Sequence, residues 1–109
     1  MTDAETILAR DISRDQLVAD LRAWRPAFEA DGVAHMALFG SRARGDNRPD
    51  SDVDLLIDVL SNRKFSLLEV AGIVNTVEDH IRLTGNVFLR CSTDPDLLDD
   101  ARRDGISIF

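Results

Sequence analysis

The sequence predicts an α+β (mixed α/β) fold in which helices pack on a small mixed sheet, in the order α-β-β-α-β-α. Apolar residues recur at helical spacing in three segments, and short apolar or alternating runs lie between and after them. Glycines and prolines mark many of the boundaries between these segments. A chain of 109 residues can bury one modest core, so we expect one domain spanning residues 1–109.

The first helix is predicted to begin after Ser13, because Ser13 and Gln16 match a capping box. Its apolar face repeats at helical spacing through Leu17, Leu21, Trp24 and Phe28. Gly32 is expected to end the element. Pro26 falls inside the pattern and predicts a bend or a split of this helix.

Two strands are predicted next, separated by a polar loop over Gly45–Ser51. Val33–Phe39 is almost entirely apolar, which favours a strand covered on both faces. Val53–Leu60 alternates, so that valine, leucine and isoleucine lie on one face and acidic residues on the other. The acidic face includes Asp54, and Asp52 immediately precedes the strand.

A second long helix is predicted from Ser66, which forms a capping box with Glu69. Phe65 and Val70 are spaced to form a hydrophobic staple across its start. The predicted apolar face consists of Leu67, Val70, Val74, Val77 and Ile81. Gly85 is expected to end this helix.

The last part of the chain predicts a strand, a helix and a short final strand. The strand is expected over Asn86–Cys91. Asp94-Pro95 opens the helix, with proline at the first helical position, and Gly105 closes it. The final strand is expected within Ile106–Phe109.

Composition excludes some classes of function. The net charge of −7 disfavours an extended nucleic-acid groove and suits a basic protein partner. No apolar run reaches the roughly 18 residues of a membrane span, so we expect no membrane association. The single Cys91 cannot form an internal disulfide, which favours a cytoplasmic protein.

The most informative pattern is Gly40-Ser41 after the first strand, followed by Asp52-Val53-Asp54 at the start of the second. Glycine permits a sharp turn and close approach of a ligand to the main chain. If a helical turn begins at Ser41, its amides suit a phosphate, and Arg42 and Arg44 are nearby phosphate ligands. Taken alone, each piece is more often an ordinary turn or a solvated strand face, and only the joined pattern favours a site.

The paired carboxylates suit a divalent metal. Asp52 and Asp54 are two residues apart on a strand, so they project from one face about 6.6 Å apart. Mg²⁺ commonly takes one or two protein carboxylates together with substrate phosphates. The pattern therefore predicts a site for a metal–nucleotide complex at Gly40, Ser41, Asp52 and Asp54.

Leu38–Gly45 and Ser51–Asp58 together resemble the minimal nucleotidyltransferase (MNT) family of the DNA polymerase beta superfamily. The resemblance implies a nucleotidyltransferase fold over residues 1–109, with Gly40 and Ser41 at the terminal phosphates of ATP. It implies that Asp52 and Asp54 are catalytic and bind Mg²⁺. Members of the family pair with helical HEPN toxins, and the resemblance implies an antitoxin that transfers AMP from ATP to a tyrosine of the toxin.

One position departs from the family pattern. The family carries a third carboxylate on the next strand, and alignment of that pattern places Phe88 there. Two hypotheses therefore stay open. The first is an active protein adenylyltransferase. The alternative is a catalytically degenerate nucleotidyltransferase-like binding module that neutralises or assembles with its partner by contact.

The acceptor and the oligomeric state are constrained by composition and by the resemblance. The chain contains no tyrosine, so a tyrosine acceptor must belong to another protein. A homodimer is also possible within the family pattern, with Phe109 or Leu97-Leu98 as the buried surface.

Overall fold

The computed structural model describes residues 11–60 and 66–109. The helices in these residues are α1 (Arg14–Ala23), α2 (Arg25–Ala30), α3 (Ser41–Arg44), α4 (Leu67–Thr76) and α5 (Pro95–Asp104). The strands are β1 (Val33–Phe39), β2 (Val53–Val59), β3 (Gly85–Leu89) and β4 (Ile106–Ser107). A π-helical turn, Val77–Ile81, extends α4, and a 3-10 turn, Arg90–Ser92, follows β3. No helix among the described residues combines the length and apolar character needed to cross a bilayer.

The four strands form one mixed sheet in the order β3-β2-β1-β4. β1 lies antiparallel to β2 and to β4, whereas β2 and β3 are parallel. The parallel pair requires a crossover, which α4 and its π-helical extension supply. The predicted small mixed sheet packed with helices is confirmed.

The two faces of the sheet are covered differently. One face contributes Leu38, Leu55 and Ile57 to the main core, where α1, α2 and α4 pack. The other face carries a smaller apolar cluster, which joins Phe39 and Leu56 to Ala101 of α5. Side chains at Asp54 and Leu56 are two residues apart on β2, so the acidic face is the face that α5 covers.

The first predicted helix is split as expected. α1 ends before Trp24, and Pro26 lies in the first turn of α2. The cap is only half of a capping box: the Ser13 hydroxyl accepts from the Gln16 amide at 3.1 Å, but the Gln16 side chain donates to Asp20 at 2.8 Å. Asp20 thus replaces the Ser13 backbone as the partner of the Gln16 side chain.

The second predicted helix forms, with a different buried stripe and a different end. Glu69 completes the capping box by accepting from the Ser66 amide at 2.9 Å. Ile73, Val77 and Ile81 are buried, whereas Leu67 is 87% exposed, so the predicted face is wrong at Leu67. Apolar residues surround most of this helix, and periodicity alone does not select the stripe that meets the sheet. Phe65 of the predicted staple lies outside the described residues.

The sequence predicts that this helix ends at Gly85, but in the structure it ends at Arg82. Arg82 adopts the left-handed conformation with φ 67°, which closes the π-helical turn. Gly85 instead begins β3, where a Cβ would lie only 3.1 Å from the Val77 side chain. Gly85 therefore allows β3 to pack closely against the π-helical turn that extends α4.

The remaining differences are at strand ends and strand faces. β1 is covered on both faces at Leu38 and Phe39, as predicted, but not at His35, which is exposed beside an irregularity in the pairing with β2. β3 ends at Leu89, so Cys91 lies in the following 3-10 turn. α5 begins after Asp94, whose side chain accepts from the Asp96 amide at 2.8 Å, and Gly105 caps it as predicted.

Candidate functional site

The turn between β1 and α3 is built on Gly40. Gly40 has φ 78°, in the left-handed region that favours glycine. A Cβ at this position would also overlap the carboxylate of Asp54. Glycine is therefore required at position 40 both by the backbone conformation and by the lack of room for a side chain. It allows the turn before Ser41 to lie against the acidic face of β2.

Asp52 and Asp54 converge at the start of β2. Asp52 is exposed and Asp54 is half-buried. The Nδ2 of Asn86 donates to Asp52 Oδ2 at 3.0 Å and to Asp54 Oδ1 at 3.1 Å. Because one nitrogen reaches both carboxylates, their oxygens face the same point in space.

Asn86 is a site residue that the sequence analysis missed. In the parallel register of β2 and β3, Asp54 pairs with Asn86 and Leu56 pairs with Phe88. The ring of Phe88 packs edge-on against Phe39, with centroids 5.5 Å apart. Alignment of the family pattern places Phe88 at the position of the third carboxylate, and this placement is wrong. Asn86 is the residue of β3 that lies beside Asp52 and Asp54.

The reason for this difference is the period of a strand. Residues 86 and 88 point to the same face of β3, so a shift of two residues leaves the alternating pattern unchanged. Only the pairing of β3 with β2 decides which of the two lies opposite Asp54. The one sequence signal was that Asn86 is the polar residue in an otherwise apolar strand start.

Asp54 is electrostatically unfavourable in its ionised form. Burial is the largest influence and raises the pKa of Asp54 above its ordinary value of 3.8. The hydrogen bond from Asn86 opposes this shift, the neighbouring charge of Asp52 adds to it, and the positive charge of Arg44 opposes it. A cation between the carboxylates would relieve the repulsion between Asp52 and Asp54.

Arg42 lies inside the molecule, where it supports the loop before β2. Its side chain is 1% exposed. It donates from Nε to Ser51 O at 3.0 Å, and from Nη2 to Pro49 O at 2.9 Å and Arg48 O at 3.3 Å. These contacts favour a structural role for Arg42, because they hold in place the loop that leads to Asp52. Phosphate binding by Arg42 stays a prediction.

Arg44 is the exposed arginine of the turn. Its side chain pairs with Asp46 at 3.1 Å and with Asp104 of α5 at 3.6 Å. The hydrogen bond with Asp46, and then its negative charge, raises the pKa of Arg44. Since the charge of Arg44 also acts on Asp54, Arg44 lies within electrostatic reach of the carboxylate pair. Its binding of a nucleotide stays a prediction.

The donor set fits a divalent cation that arrives with a nucleotide. Among the residues the structure describes, no cluster of three or more histidine, cysteine, aspartate or glutamate side chains is placed to hold a metal. Two converging carboxylates, Asp52 and Asp54, are nevertheless what Mg²⁺ takes from proteins when phosphates complete its shell. Asp52 and Asp54 would thus supply part of such a coordination sphere, and the phosphates of a nucleotide would complete it.

Comparisons with known proteins agree with this geometry. A family model described as "Nucleotidyltransferase domain" matches residues 21–89. No curated protein sequence matches the chain. A solved structure described as a candidate minimal nucleotidyltransferase has 27% identity and a TM-score of 0.72, over 87% of this chain and 95% of that one.

Two solved complexes share the fold at lower identity. One is a toxin–antitoxin with AMP-PNP, at 14% identity and a TM-score of 0.64, over 90% of this chain and 73% of that one. The other is a tri-AMPylated HEPN toxin with its MNT antitoxin from Shewanella oneidensis, at 9% identity and a TM-score of 0.64, over 85% and 71%. The family match includes the Gly40 turn, both aspartates and Asn86, and the chain therefore belongs to the nucleotidyltransferase domain family.

Proposed function

We propose that this chain is the antitoxin of a toxin–antitoxin pair and transfers AMP from Mg-ATP to a tyrosine of a HEPN-type toxin. The observation that carries the proposal is the convergence of the Gly40 turn with the carboxylates of Asp52 and Asp54. Supporting it, two neighbours in fold are described as toxin–antitoxin complexes, one with AMP-PNP and one with an AMPylated HEPN toxin.

Each residue of the site has a role in this proposal. Asp52 and Asp54 hold the divalent cation, and the turn at Gly40 and Ser41 receives the terminal phosphates. Arg44 exchanges its exposed carboxylate partner, Asp46, for a phosphate oxygen. Mg²⁺, when bound, supplies charge neutralisation of the triphosphate.

The reaction is a substitution at the α-phosphorus of ATP. The tyrosine Oη of the acceptor forms a bond to that phosphorus while the bond to the α,β-bridging oxygen breaks. Pyrophosphate leaves with the electron pair of the broken bond, and the hydroxyl proton of the tyrosine passes to solvent. The chain contributes position and charge, which dominate catalysis of this kind of transfer.

A separate protein supplies the acceptor in this proposal. The chain has no tyrosine, and its net charge of −7 suits a partner with a basic surface. Leu97 and Leu98, which were considered as a dimer surface, pack against the Phe39–Leu56–Ala101 cluster, and Phe109 lies under the guanidinium of Arg25. We therefore favour association with the toxin over self-association.

The test incubates the full chain with α-³²P-ATP, Mg²⁺ and a HEPN-type toxin protein from the same organism. We expect label on a tyrosine of that protein and none when γ-³²P-ATP is used, because pyrophosphate leaves. The double variant Asp52→Asn/Asp54→Asn should transfer no label. Absence of label with the folded wild-type protein would contradict the proposal.

A second candidate is a nucleotide-binding module that neutralises its partner by contact alone. The observation that favours it is the neutral Asn86 beside Asp52 and Asp54, since an amide cannot accept a proton from an attacking hydroxyl. This candidate predicts inhibition of the toxin at a one-to-one ratio without ATP. Inhibition that requires ATP and outlasts removal of the chain would exclude it.

A further inference from the structure

We propose that Asn86 is the third protein ligand of the divalent cation, through its side-chain carbonyl oxygen. This inference rests on the proposed function, because it assumes that Asp52 and Asp54 hold that cation. It assigns to a neutral residue on β3 a role that no carboxylate among the described residues fills.

The position of Asn86 is the first argument. The β2–β3 register sets Asn86 directly beside Asp54, and both side chains project from the face that α5 covers. Its amide nitrogen lies 3.0 Å from one carboxylate and 3.1 Å from the other. The end of the Asn86 side chain is therefore already at the point on which the two carboxylates converge.

The chemistry of the amide is the second argument. Without a cation, the Nδ2 group is the end that faces two anionic oxygens, as expected for a donor. Once positive charge lies between the carboxylates, the same N–H group faces a cation and is repelled. A half-turn about the Cβ–Cγ bond exchanges the two ends, which are nearly equal in size, and presents Oδ1. Amide oxygens are hard ligands suited to Mg²⁺ and Mn²⁺.

The charge of the site follows from this assignment. Two carboxylates and one amide carry two negative charges, which one divalent cation balances. A third carboxylate at the same position would add a negative charge and raise the repulsion already felt by Asp54. Asn86 thereby favours a single cation bound together with the nucleotide.

The first test measures Mn²⁺ binding to the full chain, with AMP-PNP present, from the electron paramagnetic resonance signal of free Mn²⁺. Asn86→Ala should weaken binding about 10-fold or more, the loss expected when a residue that supports a metal site is removed. Equal or tighter binding would overturn the proposal, since removing a donor that merely competes with the cation has that effect. The matched control is Asn75→Ala, at an exposed position of α4, which should bind like wild type.

A second variant tests ligation independently of any loss of stability. Asn86→Cys replaces a hard oxygen by a soft sulfur, so the preference for Cd²⁺ over Mn²⁺ should rise at least about 10-fold if residue 86 touches the metal. Asn75→Cys should leave that preference unchanged, and an unchanged preference in Asn86→Cys would overturn the proposal.

The two levels of inference fail differently. If the wild-type chain binds no Mn²⁺ even with AMP-PNP, the proposed function is wrong and the role of Asn86 falls with it. If the wild-type chain binds Mn²⁺ while neither substitution of Asn86 changes affinity or metal preference, only the assignment of Asn86 is wrong.

Discussion

At the residue scale, Asp54 is a charged group held in an environment that disfavours its charge. Burial is the main reason its pKa is raised above 3.8, and the neighbouring Asp52 adds to the effect. The folded state therefore binds the Asp54 proton more tightly than the unfolded state. The stability gained from this is complete below pH 3.8 and is lost as pH rises through the folded-state pKa.

This linkage gives the first prediction. Asp54→Asn should raise the free energy of unfolding at pH 7 in the absence of metal, because the substitution removes the charge and keeps an oxygen that accepts from Asn86. The advantage over wild type should shrink as pH falls through the raised pKa of Asp54, because the wild-type carboxyl then becomes protonated. Urea unfolding at a series of pH values measures it. Asp50→Asn in the exposed loop is the control, and a destabilised Asp54→Asn at pH 7 would contradict the argument.

Gly40 gives a second prediction at this scale. Gly40→Ala should lower the free energy of unfolding by about 1–3 kcal/mol, because it forces a side chain into the left-handed region and against the carboxylate of Asp54. Gly72→Ala is the matched control: it lies within α4 with open space around the added methyl, so it should stabilise by up to about 1 kcal/mol. Denaturant midpoints of the two variants should move in opposite directions.

At the element scale, the short helix α3 carries two arginines, Arg42 and Arg44, that have different contacts. Arg42 points inward to three carbonyl oxygens of the loop, and Arg44 points outward to Asp46 and Asp104. In α3 the two residues are two positions apart, which places them on opposite sides of the helix. The loop position, and with it Asp52, therefore depends on Arg42.

The corresponding prediction compares the two arginines. Arg42→Ala should destabilise the fold by at least about 2 kcal/mol, since it removes three hydrogen bonds from a charged donor and each contributes about 1.5–3 kcal/mol. Arg44→Ala should hardly change stability and should weaken binding of AMP-PNP with Mg²⁺. Urea unfolding and calorimetric titration measure the two effects. If Arg42→Ala were as stable as wild type and lost as much nucleotide affinity as Arg44→Ala, Arg42 would instead be a phosphate ligand.

The elements show what local sequence could and could not predict. Strong local signals, such as Ser13, Pro26 and the Ser66–Glu69 capping box, correctly located the helix starts and the split between α1 and α2. Signals that depend on packing were weaker. The exposed Leu67 and the helix end at Arg82 follow from how α4 meets the sheet, which periodicity does not determine.

The candidate site divides in the same way. Asp52 and Asp54 were predicted to share a face because they lie on one strand, and glycine at position 40 indicated a tight turn. Asn86 lies 32 residues from Asp54 along the chain, and its contact arises only from the pairing of β2 with β3. Long-range register is not encoded in a local pattern, so Phe88 and Asn86 could not be distinguished from sequence.

At the scale of the whole molecule, the site joins segments that are otherwise separate. The turn follows β1, the two aspartates open β2, and Asn86 lies in β3, which is reached only through the crossover helix. A ligand held as proposed by Gly40, Asp54 and Asn86 would link the end of β1, β2 and β3, and would favour the folded state over the unfolded state. Such linkage amounts to about 2.7 kcal/mol when the free ligand exceeds its dissociation constant 100-fold.

The net charge makes this linkage depend on the metal. The chain carries −7 and a nucleoside triphosphate is strongly anionic, so the free nucleotide is repelled. We therefore expect AMP-PNP with Mg²⁺ to raise the thermal unfolding midpoint by several degrees, and AMP-PNP with EDTA to leave it unchanged. Mg²⁺ alone should have a small effect, because Asp52 and Asp54 provide only part of its coordination shell. Differential scanning calorimetry measures all three conditions, and Asp52→Asn/Asp54→Asn should abolish the shift with the complex. An equal shift in EDTA would mean that the phosphates bind without a cation, and the carboxylate pair would then have no role in holding the nucleotide.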